Sequence, residues 1–188
     1  MKKIISILVT AALLLVFSLT FQTNEASAAS YPGTKATVKA GDIVVTKTTN
    51  CKPNCKGITG HAGIVIDSTY IAHISGPGAH PSKISISSWF KKYTSTKVVR
   101  TNSKYKGKPS KAASWAAKYL KDYPKAKYSI TPNLSSKDPT YCSKLVYQAY
   151  YYGTGYPILA SSGIIHPYAF INKVGYSGMG SIVASVKW

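Results

Sequence analysis

The chain has 188 residues, 45% of them apolar, and its 24 Lys and Arg against 5 Asp and Glu leave a formal charge of +19. That length suffices for one domain with a real core, and so basic a surface calls for an anionic partner or environment. Nucleic-acid reading is not expected, because Arg100 is the sole arginine, base recognition leans on arginine forks, and no RNA-binding aromatic signature is present.

Met1-Lys2-Lys3, the apolar run from Ile4 to Phe21 and the small-residue ending Ala26-Ser27-Ala28 have the pattern of a secretory signal peptide. Residues 1–28 are therefore expected to be removed, leaving 29–188 as a single exported domain. No later segment approaches the ~20 apolar residues of a bilayer span, so no stable membrane insertion is expected after cleavage. Losing Lys2, Lys3 and Glu25 takes the formal charge from +19 to +18, with no Glu left and only Asp42, Asp67, Asp122 and Asp138. Loose attraction to an anionic cell-wall polymer or membrane surface suits such a chain, although lysines can also serve solubility alone.

After a polar lead-in, Ile43-Val44-Val45-Thr46 is a β-branched run that reads as a strand. Cys51 and Cys55 bracket a loop-like Lys-Pro-Asn. In an oxidising compartment they could close a small disulfide, whereas a zinc site would need two further ligands. Strands are next expected at His61–Ile66 and Tyr70–Ser75, with a fourth at Lys97–Arg100 after an amphipathic patch around Ile84, Ile86, Trp89 and Phe90. Ala112, Ala113, Ala116, Tyr119 and Leu120 recur at helical spacing from Ser110 until Pro124 stops the helix. A second helix starts near Cys142, with Asp138-Pro139-Thr140 as capping and first-turn residues, an apolar stripe of Leu145, Val146 and Ala149, and Gly153 as its stop. Ser181–Val186 is a last strand. The whole reads as α+β: a small antiparallel sheet or barrel packed against the Cys142 helix and one further helix.

Cys142 is the odd cysteine, and at a helix start the dipole favours its thiolate. A buried packing cysteine is the competing reading. A nucleophilic thiol needs a base and an orienting partner. If the loop Asp67-Ser68-Thr69 has three residues, Ile66 pairs with Tyr70 and Gly63 with His73. His61 and His73 are then same-face diagonal neighbours, roughly 7–8 Å apart at Cα. A two-residue loop would turn His73 to the other face, leaving two unrelated histidines. Asp67 shares the parity of His61 but lies about 20 Å along the strand. His80 and His166 each precede a proline in loop-like surroundings.

Ala40-Gly41-Asp42-Ile43-Val44, Gly60-His61-Ala62-Gly63-Ile64, Tyr128 and Tyr141-Cys142-Ser143-Lys144-Leu145-Val146-Tyr147 occur in that order. The ordered set resembles the circularly permuted NlpC (P-sixty)-type papain-like cysteine hydrolases, the YiiX/YebB-like group, over residues 40 to 170. The resemblance implies Cys142 as nucleophile, His61 as general base and His73 as the third polar member, with Tyr128 and Tyr141 at the substrate. Many members carry a Glu where His73 stands. This mature chain has none, so His73 either substitutes for it or the register is off by one residue. Neither metal nor cofactor is implied. The function expected is a secreted cysteine peptidase or amidase that cleaves an amide, in peptidoglycan stem peptides, through a Cys142 thioester. Two alternatives stand beside it: an acyl-lipid or N-acyl hydrolase or acyltransferase on the same Cys–His site, and a non-catalytic wall-binding protein.

Overall fold

The computed structural model describes residues 29–48, 60–176 and 179–188. The expected signal peptide and the Cys51–Cys55 pair lie outside the described residues. Six strands form one antiparallel sheet: β1 (Ile43–Thr46), β2 (His61–Val65), β3 (Tyr70–His73), β4 (Ser82–Ser85), β5 (Thr96–Thr101) and β6 (Gly180–Val186), in the order β4-β3-β2-β1-β5-β6. Its helices are α1 (Ile86–Lys92), α2 (Pro109–Asp122) and α3 (Cys142–Thr154), with a π-helical turn at Phe170–Gly175. The expected α+β architecture is present, as an open sheet. No helix among the described residues is long and apolar enough to cross a membrane.

β1 is buried throughout because it is central and covered on both sides, and its first three residues are apolar. Ile43 and Val45 face a core shared with Ala62, Ile64, Val99 and the inner side chains of α3, among them Val146 and Ala149. Val44 faces a second core with Val65, Ile71, Val98, Trp89 and Phe90, closed by Tyr31 of the lead-in. Tyr31 donates its hydroxyl hydrogen to Asp42 Oδ2 (2.6 Å), and Arg100 grips the same carboxylate through Nε (2.8 Å) and Nη2 (2.6 Å). This buried triad ties the lead-in to β1 and β5.

The β2–β3 register is the expected one, with Ile64 opposite Ala72 and Val65 opposite Ile71. Asp67 Oδ1 accepts the N–H groups of Thr69 and Tyr70, both at 2.7 Å, which holds the three-residue loop. The amphipathic patch splits at Ser85. Ser82–Ser85 pairs with β3 as an edge strand, and the Ser85 hydroxyl then caps α1 by accepting Ser88 N–H. Ile86, Trp89 and Phe90 recur at helical spacing and are buried. The π-helical turn, not anticipated from the sequence, seats Phe170, Ile171 and Val174 in the first core.

Two expectations for α3 are corrected. Its N-cap is Tyr141, in extended backbone and without a side-chain cap bond. Asp138 instead accepts Lys127 N–H (2.9 Å), and Thr140 bridges to Tyr128, so the presumed capping residues serve an extended segment. The helix also runs through Gly153 and ends at Gly155, whose φ is 76°. Gly153 is an approach point: a Cβ there would sit 2.7 Å from Lys111 O and 2.9 Å from Trp115 Cβ of α2.

Candidate active site

Cys142 is the first residue of α3, and its side chain is buried. The N–H groups of Ala62, Ser143 and Cys142 itself face the sulfur and favour the thiolate, but burial outweighs them and pushes the thiol up. The helix-start expectation of a ready thiolate is thus reversed by desolvation. Ala62 reaches the thiol for a topological reason. Alternate N–H groups of β2 point toward β3, as Ile66 N–H does to Tyr70 O, and at Ala62 that partner strand has already ended at His73. The residues flanking Cys142 both grip Ile165: Tyr141 Oη accepts its N–H (3.0 Å) and Ser143 donates to its carbonyl (2.6 Å).

His61 and His73 converge. Nε2 of His61 lies 3.0 Å from Nδ1 of His73, a buried contact that the three-residue loop makes geometrically available. Trp89 packs over both rings. It stacks on His61 at a centroid distance of 5.2 Å and 20°, and meets His73 edge-on at 5.6 Å. Gly63 permits this, because a Cβ there would lie 2.6 Å from Ile71 Cγ2 and 3.2 Å from Trp89. The indole N–H donates to Thr96 Oγ1 at 3.3 Å, which fixes its orientation. Burial, followed by the charges of His73 and Lys92, holds His61 well below the usual imidazole range. Burial and then Lys92 bring His73 down to about 4. Both rings are therefore neutral near pH 7, and thiol and imidazole rest uncharged.

Tyr128 is half-buried beside the thiol. Burial first, then the charge on Cys142, pushes its hydroxyl up to about 12. Tyr93, at the end of α1, is raised to about 12 by the same two causes in the same order. Tyr141 also senses Cys142, but its hydroxyl is taken by Ile165 N–H, so it acts as an anchor beneath the site. Asp67 stays in its turn, and His80 Nδ1 bonds to Ala126 O (3.1 Å) instead of entering the site. Trp89 and Tyr93 are members that sequence reasoning did not assign. Their signal was the i, i+4 spacing on a helix whose existence depended on the break at Ser85.

The crystal structure of the metalloprotein yiiX from Escherichia coli O157:H7 has the same fold. It is 17% identical, with a TM-score of 0.57 over 78% of this chain and 97% of that one. The described residues here gather no group of three or more His, Cys, Asp and Glu side chains suited to a metal ion. A Bacillus thuringiensis protein described as an uncharacterized 30.3 kDa protein is 37% identical over 150 residues, which is 72% of this chain and 53% of that relative. The chain thus spans about half the length of that relative. The expected YiiX-like grouping holds at the level of fold. A model of the lipoprotein N-acylation proteins of LnsA type matches residues 2–176, a range that takes in the histidine hairpin and the cysteine helix alike. The chain belongs to the LnsA-like lipoprotein N-acylation protein family.

Proposed function

We propose that this protein is a cysteine acyltransferase or hydrolase that draws an acyl group from a lipid or N-acylated donor onto Cys142 as a thioester. The observation that carries the reading is the His61–His73 pair, 3.0 Å apart, with His61 next to Ala62, whose N–H faces the Cys142 sulfur. Family membership favours acyl compounds over the peptidoglycan amide expected from the sequence. The order of histidine strand before cysteine helix supports a permuted papain-like arrangement, and the leader-like residues 1–28 support export to an anionic surface.

The chemistry follows from the ring nitrogens. When His61 Nε2–H donates to His73 Nδ1, the lone pair of His61 sits on Nδ1. That nitrogen takes the Cys142 proton as the sulfur attacks the acyl carbonyl. The resulting oxyanion accepts hydrogen bonds from N–H groups at the start of α3, and the protonated Tyr93 and Tyr128 hydroxyls are further donors at the site. Collapse breaks the ester C–O or amide C–N bond, and the His61 imidazolium protonates the departing alcohol or amine. An incoming amine or water then gives a proton to the same Nδ1 and attacks the thioester, which returns the thiol.

The test is to incubate the purified protein with phosphatidylglycerol vesicles carrying a labelled acyl chain and, separately, with muropeptides. An acyl adduct on Cys142, removable by neutral hydroxylamine and missing in Cys142→Ala, is the expected result. Muropeptide cleavage without an adduct would return the substrate to peptidoglycan. Equal turnover by Cys142→Ala would overturn the role of the thiol.

A further inference from the structure

Lys47 follows β1 and Lys97 lies in β5 opposite Val45, so strand periodicity continues the Ile43–Val45 face through both lysines. That is the face of the sheet on which α3 packs. Both ammonium groups rest against one indole: Nζ of Lys47 is 4.8 Å, and that of Lys97 is 4.7 Å, from the Trp188 ring centroid. Lys97 also donates to Tyr176 Oη at 3.0 Å. Among the described residues no Asp side chain is paired with either of them. Arg100 holds Asp42 and Lys118 holds Asp122, while Asp67 and Asp138 accept backbone N–H groups. Two cations are thus gathered at an aromatic wall with no Asp side chain of the described residues held against them.

The lysines line an open cleft of about 390 Å³. A neighbouring, more apolar cleft of about 250 Å³, walled by Leu159, Ile164 and Ile165, shares Tyr168 and Asn172 with it. Ile165 is the residue gripped from both sides of Cys142. A basic cleft and an apolar cleft therefore adjoin each other, and the apolar one is walled by the residue that both neighbours of Cys142 hold, an arrangement complementary to an amphiphile with an anionic group. Separate lysine ammonium groups act as point charges, which suits the several oxygens of a phosphate better than the planar pair of a carboxylate.

We propose that the Lys47–Lys97–Trp188 cleft is an anion subsite that takes the phosphate-bearing group of the ligand. Its relation to catalysis rests on the acyl-transfer reading of Cys142, but the anion site is measurable without any turnover. The experiment compares the full chain, Lys47→Gln/Lys97→Gln and a control, Lys104→Gln/Lys106→Gln, which removes the same charge at exposed positions. Each is titrated with inorganic phosphate and with glycerol phosphate, and each is floated with phosphatidylcholine vesicles with and without phosphatidylglycerol.

The Lys47/Lys97 variant is expected to lose about tenfold or more in phosphate-dependent binding, and the control about twofold or less. Competition between glycerol phosphate and the vesicles would assign the site to a headgroup. Binding of soluble phosphate without any preference for phosphatidylglycerol would assign it to a free phosphoester. Equal losses in the two variants, or no phosphate binding in the unsubstituted chain, overturn the subsite. Acyl labelling of Cys142 is scored in parallel. Phosphate binding that depends on Lys47 and Lys97, without an acyl adduct, would keep the subsite and sink the acyl-transfer reading; an adduct without such binding would do the reverse.

Discussion

His61 Nε2 meets His73 Nδ1 at 3.0 Å because the loop between their strands has three residues and Asp67 closes it. If His73 orients the base, its loss should lower the rate of acyl-adduct formation on Cys142 while leaving donor affinity nearly unchanged. We expect His61→Ala to cost about 10²- to 10⁴-fold in that rate. His73→Ala should cost less, and His73→Gln, which keeps an acceptor for Nε2–H, should recover part of the loss. Deleting Ser68 turns His73 to the opposite face and should match His73→Ala. A full rate in the deletion variant would show that the pair is structural packing.

Burial raises the Cys142 thiol and lowers both histidines, so no thiolate–imidazolium pair should be populated at neutral pH. Iodoacetamide should therefore alkylate Cys142 at pH 6 no faster than it alkylates free cysteine, and the rate should climb only in the alkaline range. Faster alkylation at pH 6 than free cysteine would show a preformed ion pair and contradict the desolvated site.

The same burial makes the fold acid-sensitive. Unfolded histidine titrates near 6.5, whereas His73 in the fold is lowered to about 4 and His61 is well below the usual range. Below pH 6.5 the unfolded chain binds protons that the folded chain refuses, so stability falls as pH drops from about 6.5 toward 4. Each histidine contributes up to about 1.4 kcal/mol per pH unit in that window. Thermal melts at pH 7, 6 and 5 should show a falling Tm. His61→Gln/His73→Gln should flatten that slope, and an unchanged slope in this variant would sink the assignment.

Asp42 receives hydrogens from Tyr31, Arg100 and Lys39 N–H, and its side chain is only 2% exposed. Asp42→Ala leaves a guanidinium and a phenol without their partner, which should cost about 3–5 kcal/mol. Arg100→Lys loses the two-pronged grip and should also destabilise measurably in urea titrations. Near-wild-type midpoints for both would show that the lead-in is held by Tyr31 packing alone.

What could be read from the chain was what depends on counting. The loop of three residues dictates which side chains share a face, so the Gly63–His73 pairing followed from arithmetic, and β-branched runs marked β1 and β5. What could not be read depended on where polar atoms find partners in space. Asp138 has the chemistry of a cap, but Lys127 N–H claims it from a distant segment. Ile84 and Ile86 fit either period until Ser85 is seen to cap a helix, and with α1 hidden, Trp89 and Tyr93 could not be placed over the histidines. The helix start correctly located the thiol but carried no information about its desolvation, so the sign of its shift was reversed.

Gly63 offers the sharpest separation of packing from chemistry at this site. Its missing Cβ lets Trp89 lie flat on His61, and a methyl group there would press on Ile71 Cγ2 at 2.6 Å, Ala72 O at 3.1 Å and Trp89 at 3.2 Å. Because the contacts include backbone of the neighbouring strand, β3 or the indole must shift. Overpacking of this kind costs about 1–3 kcal/mol. Gly63→Ala should thus fold with a lowered Tm and lose adduct formation beyond what stability explains, because the displaced indole frees the His61 ring. Pairing it with Trp89→Phe, which relieves the crowding, should restore Tm more than it restores activity. Full recovery of both would mean that Trp89 only fills space; recovery of neither would mean that the strand, and not the indole, takes up the strain.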